Sequence, residues 1–318
     1  MPTNRTEMTL SVDAQRHDDQ LLASIDGIFW EADAQSCQFT YVSEHAERLL
    51  GYPLAQWCLP GFWVDHLHPD DRASAIEFRS RAACGYCNHS LEYRMIAVDG
   101  QIVWLQDIVR GVVEGDRVAK QRGILLDVTE RRQAEAERLA QLWFLESMDK
   151  VNRAMQGAND LEQMMSAVLD AVLAIFACDR GLLLYSCDPQ ASSWRVAMER
   201  TRPAYPSALA WGLEEATESD ILNVFQIVRA ASGPVKFGRG EEHQLPVEAT
   251  LEHSVQSMIA MAVYPKVDKP YMFALHQCSH PRTWTPQEER LFQEIGRRLG
   301  DALTSLLVYR NLQESELR

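Results

Sequence analysis

Hydrophobic positions over the first 130 residues repeat at two intervals, and each change of interval predicts a new element. SIDGIFWEAD (24–33) and QFTYVS (38–43) are aromatic and β-branched runs split by a short polar link, which predicts a strand pair. In SEHAERLLGY the spacing of Ala46, Leu49 and Leu50 predicts a short helix stopped by Gly51 and Pro53. After HPDD (68–71), the stretch RASAIEFRSRAA sets Ala73, Ile76 and Phe78 among charges. It predicts a half-buried helix whose first turn carries Asp70 and Asp71, favourable for its dipole. HSLEYRMIAV, QIVWLQDIVRGVV and VAKQRGILLDV then read as three strands. Asp99-Gly100 predicts a two-residue hairpin turn, and Glu114-Gly115-Asp116 marks the second reversal. Together these make an open antiparallel sheet with helices on one side.

The stretch GILLDVTERRQAEAERL (123–139) changes character in the middle. Ile124, Leu125 and Leu126 read as the last central strand, and from Glu130 onward the residues are charged, polar or strong helix formers. Thr129 is placed to cap the free N–H groups of the helix, and Glu130 sits where the dipole favours negative charge. No Gly- or Ser-rich spacer separates the two elements, so the joint has no slack. The helix runs on through AERLAQLWFLESMDKVNRAM. Its apolar set of Leu139, Leu142, Trp143, Leu145, Met148 and Val151 is wider than a coiled-coil seam, which predicts contact with the following domain and with a second copy of the chain.

A second α and β pattern fills about 145–310. LEQMMSAVLDAVLAIFA is a long amphipathic helix, RGLLLYSCD and WRVAMER are strands, and ESDILNVFQIVRAA is helical. HSVQSMIAMAVYP and KPYMFALHQCS form a strand pair, and TPQEERLFQEIGRRLGDALTSLLVYRNL closes the pattern as a helix. Thr285, Pro286 and Glu288 combine a capping box with a proline at the first helical position. Ile295, Leu299, Ala302, Leu306 and Tyr309 recur at heptad-like steps, which predicts a dimer exit.

With 318 residues the chain has material for two ordinary cores. A net charge of -14 argues against nucleic acid or an anionic membrane surface as partner, because phosphates repel an acidic surface. No run reaches the roughly 20 apolar residues of a membrane span, and the first residues lack a signal peptide's apolar core. A cytoplasmic location is expected, and seven scattered cysteines suit reduced thiols. Cys84 and Cys87, with His89, have redox or zinc spacing, but the pair is short of a closed tetrahedral site, so no metal is assigned. Gly-rich phosphate loop, nucleophile elbow and paired carboxylates are all missing from the motifs, so no catalytic residue is assigned.

The order of these elements, the LLGY turn, HPDDR at 68–72, the EYR, DG and W series at 92–104 and GILLDVTERRQAE together resemble the PAS sensory domain with its Asp-X-Thr exit motif, over about residues 18–135. That resemblance implies a signal-exit role for Asp127 and Thr129. It also implies a pocket, here walled by Trp30, Tyr41, Trp63 and Tyr93, of the kind that holds flavin, haem or small metabolites. A haem ligand would need a histidine on the mid-domain helix, whereas His66 and His68 precede it; flavin stays open.

The second half resembles a GAF domain, and LHQCSHPRTWTPQEERLF (275–292) looks like that of phytochromes and cyanobacteriochromes, where a histidine on this strand touches bilin. The matching residue is His276. The family's thioether cysteine would fall, aligned on Val255, at Leu245 and Pro246, and no cysteine precedes Cys37, so bilin has no covalent anchor. His276 is then expected to be a satisfied interior histidine.

The fold class expected is α+β, two domains each with an antiparallel sheet flanked by helices. They divide as a PAS domain at 18–130, a signalling helix at 131–155, a GAF domain at 145–310 and the start of an exit helix at 311–318. The resemblances imply a cytoplasmic sensory module of a bacterial signal-transduction protein, a homodimer through its linker and C-terminal helices, without enzymatic activity of its own. The output expected beyond NLQESELR is a histidine kinase or a cyclic-dinucleotide enzyme. A chromophore-binding photoreceptor and a dimerisation scaffold without ligand are the alternatives.

Overall fold

The computed structural model describes residues 26–84, 89–115, 117–156, 161–205, 207, 215–216, 219–251 and 253–316. The chain forms two compact units, Met1–Arg138 and Leu139–Arg318. Cys87 and its loop lie outside the described residues, so the Cys84 and Cys87 pair has no structural account.

The first unit contains β1 (Ile28–Asp33), β2 (Phe39–Val42), α1 (His45–Leu50), α2 (Leu54–Trp57) and α3 (Phe62–His66). A 3-10 turn (Pro69–Asp71) leads into α4 (Arg72–Cys84), followed by β3 (His89–Ile96), β4 (Ile102–Glu114) and β5 (Arg117–Asp127). The sheet is antiparallel in the order β2-β1-β5-β4-β3, so the last strand in sequence lies at the centre. Its inner face packs Ile28, Trp30, Tyr93, Met95, Leu105, Val109 and Leu125 against the helices.

Ile124, Leu125 and Leu126 lie in the central strand as expected, and four details refine the reading of this unit. In β5 only Leu125 is core; Ile124 and Leu126 point to the other face and are half-buried, as the two-residue period of a strand requires. The hairpin after β3 has three loop residues, because Gly100 alone has a positive φ (+85°), while its N–H donates to Ala97 O. That is a type I turn closed by a left-handed glycine. Helix α4 turns Ala75 and Arg79 inward, with Ala73 and Ile76 outside. Asp71, finally, accepts Arg94 Nε at 2.9 Å and Nη2 at 2.7 Å, so it ties the helix start to β3 rather than serving only the dipole.

Helix α5 (Thr129–Gln156) begins in the first unit and ends in the second. The second unit adds α6 (Leu161–Phe176), β6 (Arg180–Tyr185), β7 (Ser193–Thr201), the two-residue β8 (Glu215–Ala216), α7 (Ser219–Ala230) and β9 (Val235–Gly238). Then come α8 (Val247–Leu251), β10 (Ser257–Val263), β11 (Tyr271–Gln277) and α9 (Pro286–Glu316). The strand order is β8-β7-β6-β11-β10-β9. This sheet is covered on both faces: α5, α6 and α9 pack one side, through Val151, Val168, Phe273 and Phe292, and α7 packs the other, through Phe225 and Phe237.

The apolar set of α5 divides accordingly. Met148 and Val151 are core and Trp143 packs against it, while Leu139, Leu142 and Leu145 face solvent. On α9 the expected heptad seam is consumed from within: Ile295 and Leu299 are fully buried in their own domain, Ala302 and Leu306 pack at its edge, and only Tyr309 is exposed. The start of α9 is a complete capping box. Glu288 N–H donates to Thr285 Oγ1 (3.2 Å), and Thr285 N–H donates to Glu288 Oε2 (2.9 Å).

Candidate functional site

Three of the four aromatics expected around the first domain's pocket meet, and they meet around a charge. Asp107 takes an inward place on β4 between Leu105 and Val109 and is fully buried. Its Oδ1 accepts Trp30 Nε1 at 3.1 Å, and its Oδ2 accepts Tyr93 OH at 3.0 Å and Arg79 Nη2 at 3.3 Å. Trp63 Nε1 in turn donates to Tyr93 OH at 3.1 Å. The Arg79 guanidinium carbon lies 4.2 Å from the Trp30 ring centre and 4.0 Å from that of Trp63. Indole faces therefore take the place of solvent around the cation.

Burial pushes the Asp107 carboxyl above its ordinary value, against the pull of Arg79 and of the hydrogen bonds from Tyr93, Arg79 and Trp30. Burial also raises the Tyr93 hydroxyl well above its usual value, helped by the Asp107 charge, so Tyr93 is a donor here. Gly123 makes room for this arrangement, since a Cβ there would stand 2.5 Å from the Trp30 ring.

Tyr41 is not part of the site. It is 55% exposed, on the far side of the sheet from Phe39. The register pairs Trp30 with Val42, Glu31 with Tyr41 and Ala32 with Phe39, leaving Thr40 as an extra residue. Such a bulge turns the next side chain to the opposite face.

Beside the cluster lies a cavity of about 290 Å³, lined among others by Cys37, Phe39, Trp57, Trp63, Ile76 and Arg79. Arg79 Nε and Nη1, Trp57 Nε1 and Gln121 Oε1 are buried without a hydrogen-bond partner. The α4 segment RASAIEFRSRAAC has no histidine, so it offers no imidazole to a haem. At the lower edge of the roughly 300–1,000 Å³ of ligand pockets, the cavity suits a small metabolite better than a flavin.

At the exit, the two motif residues bond differently from the expected cap. Asp127 Oδ1 accepts the Thr129 N–H at 2.8 Å, whereas Thr129 Oγ1 accepts the N–H of Trp104 on β4 at 2.9 Å. The aspartate caps the helix, and the threonine pins its first residue to the neighbouring strand. Arg131 and Arg132 on α5 reach back to Glu92 on β3 at 2.5 and 2.6 Å. Burial acts to raise the Glu92 carboxyl, but these two cations outweigh it and hold it below its usual range.

The second domain has a smaller cavity, about 80 Å³, with Arg180, Trp194, His253, Met258, Met272 and His276 in its wall. His276 is buried and its Nδ1 has no partner, so it is interior but not satisfied as expected. Burial first, then the charges of Arg180 and His253, push its pKa down to about 3. Arg180 Nε lies 3.0 Å from Glu199 Oε1, both fully buried.

Sequence reasoning missed Arg79 and Asp107. The available signal was the alternation Val103, Leu105, Asp107, Val109, which places a carboxylate in register with core residues and so calls for a buried cation.

Residues 39–124 match the family model for the PAS fold and residues 160–303 that for the GAF domain. No curated protein matches the chain. Among solved structures, the N-terminal domain of a diguanylate cyclase with PAS/PAC sensor from Marinobacter aquaeolei is 27% identical, over 33% of this chain and 98% of that one, at a TM-score of 0.32. A sensory box histidine kinase/response regulator from Burkholderia thailandensis is 22% identical, over 39% and 93%, at 0.33. The chromophore binding domain of Stigmatella aurantiaca phytochrome P1 is 15% identical, over 87% and 93%, at 0.42.

Proposed function

We propose that this chain, a PAS sensory domain followed by a GAF sensory domain, senses a small ligand in its PAS cavity and passes the result into α5. One observation carries the reading: the cavity is lined by Arg79, whose buried pair with Asp107 links α4 to β4. Three residues before Asp107, the Trp104 N–H holds Thr129 at the head of α5. A ligand that alters the pair biases β4, and β4 biases the helix it grips. Asp127 and Thr129 are the signal-exit residues in this reading; Trp30, Trp63 and Tyr93 brace the pair, and Tyr41 has no part.

The domain limits we adopt are 18–130, 131–155, 145–310 and 311–318. Exposed Leu139, Leu142 and Leu145 on α5, with Tyr309 and Leu312 on α9, support a homodimer formed through these helices. Among the described residues no helix is long and apolar enough to cross a membrane, which agrees with a module working in the cytoplasm. It would control a histidine kinase or cyclic-dinucleotide enzyme rather than catalyse a reaction itself. His276 then lines a second, smaller pocket, in the GAF domain.

The test is a thermal-shift screen of the full chain against small metabolites, repeated on Ile76→Trp, which plugs the cavity mouth. A ligand at a hundred times its Kd stabilises by about 2.7 kcal/mol, so an upward shift of several degrees is expected in the wild type and none in the variant. A screen without any shift, or with shifts that survive Ile76→Trp, defeats the reading.

A further inference from the structure

The wall of the PAS cavity is short of acceptors. Arg79 is fully buried, and of its guanidinium nitrogens only Nη2 meets a partner, Asp107 Oδ2 at 3.3 Å. Nε and Nη1 are closed off from water and unpartnered, and Trp57 Nε1, from the same wall, is in the same condition. Three unmet donors beside one cavity are unusual, because buried polar groups are nearly always paired. Three aromatic rings, those of Trp30, Phe39 and Trp63, have their centres 4.2, 4.7 and 4.0 Å from the guanidinium carbon, and the unmet N–H groups lie in the guanidinium plane, where an oxygen acceptor would approach.

We propose that this cavity binds a small organic carboxylate, an oxygen of which accepts from an unmet N–H of Arg79, at Nε or at Nη1, while its apolar body lies against Phe39, Trp57 and Phe62. The assignment rests on the reading of the cavity as the sensory site and names the ligand class. A cationic ligand would face the guanidinium with like charge. A neutral amide offers one acceptor without charge, and charge-assisted hydrogen bonds are roughly twice as strong. The volume, about 290 Å³, limits the body to something near a single ring or a short alkyl chain. Exposed Leu59, Ile76 and Ser80 mark the mouth.

The ligand would share Arg79 with Asp107, and that competition is the lever. Asp107 keeps the donors Trp30 Nε1 and Tyr93 OH whether or not Arg79 stays close, so the strand can survive a loosened pair. The change is felt as a weaker hold of α4 on β4.

Isothermal titration of the full chain with butyrate, benzoate and phenylacetate, each beside its amide, tests this. At least one acid should bind ten-fold or more tightly than its amide, Ile76→Trp should weaken it ten-fold or more, and Arg79→Gln should abolish the preference for the acid. Should Arg79→Gln fail to fold, the acid and amide pairs with Ile76→Trp still decide. Equal binding of acid and amide, lost in Ile76→Trp, overturns the carboxylate while the sensory cavity stands. Acid binding that persists in Ile76→Trp places the site elsewhere and overturns the proposal. Failure of every acid and amide to bind overturns the carboxylate and leaves the sensory cavity to the thermal-shift screen.

Discussion

Arg79 and Arg180 are both fully buried, and each reaches a buried carboxylate, Asp107 at 3.3 Å in the PAS domain and Glu199 at 3.0 Å in the GAF domain. The two pairs differ in what they join. Arg79 comes from a helix and Asp107 from a strand, so the PAS pair fastens two layers. Arg180 and Glu199 come from β6 and β7, adjacent strands already held by the ladder that pairs Leu182 with Glu199. The surroundings differ too: Asp107 also serves Trp30 and Tyr93, whereas Glu199 also accepts Ser207 Oγ at 2.5 Å. A buried ion pair is thus no measure of importance in itself; its worth depends on which elements lose their connection when it goes.

The comparison breaks first, if it breaks, at Asp107→Ala. That change orphans the Arg79 cation together with Trp30 Nε1 and Tyr93 OH, and removing one partner of a buried pair costs about 3–5 kcal/mol. In hydrogen exchange of the full chain, the amides of β4 and β5 should lose most of their protection. Glu199→Ala should cost distinctly less, because the β6–β7 ladder remains. Equal losses of protection in the two sheets would erase the distinction drawn between them.

Acid sharpens the contrast next. The His276 pKa, about 3 in the fold against an ordinary histidine value of 6.5, is depressed by burial and then by Arg180 and His253. The unfolded chain therefore binds the proton more readily. Stability from this group is full above pH 6.5 and is lost as pH falls toward 3, with about 2 kcal/mol gone by pH 5. Asp107 has the opposite sign: its carboxyl is raised, so its contribution is present below the ordinary carboxylate value and fades as pH rises. Denaturant midpoints of the wild type and His276→Gln, compared at pH 7.5 and 5, should show a smaller acid loss in the variant. Parallel losses would remove His276 as the cause.

Much of this arrangement was legible from residue order. The strand succession, the uninterrupted passage from β5 into α5 and the Thr285–Glu288 capping box all follow from period, propensity and local polar pairing. What escaped was set by tertiary context. Period-based reading places arginine at the surface, so Arg79 read as part of a solvated face until Asp107 and two indoles were found around it. Tyr41 was misplaced by one inserted residue, Thr40, which alternation cannot anticipate. The heptad pattern of α9 was real, but Ile295 and Leu299 spend it on their own sheet; spacing records an apolar stripe and not what covers it.

The two helix starts offer the smallest and most selective contrast. At α9 the threonine is a cap, and Thr285→Ala should cost about 1 kcal/mol and fray the first turn. At α5 the cap is Asp127, and Thr129 spends its hydroxyl on the Trp104 N–H of β4. Thr129→Val keeps the shape and removes that acceptor, also at about 1 kcal/mol, yet the helix should not fray, because Asp127 still holds the Thr129 N–H. Faster exchange should instead appear at the Trp104 amide, with Val128 partly protected through its own bond to Trp104 O at 2.9 Å. Fraying of α5 with an unchanged Trp104 amide would mean that Thr129 acts as an ordinary cap, and β4 would then have no direct grip on the helix through its hydroxyl.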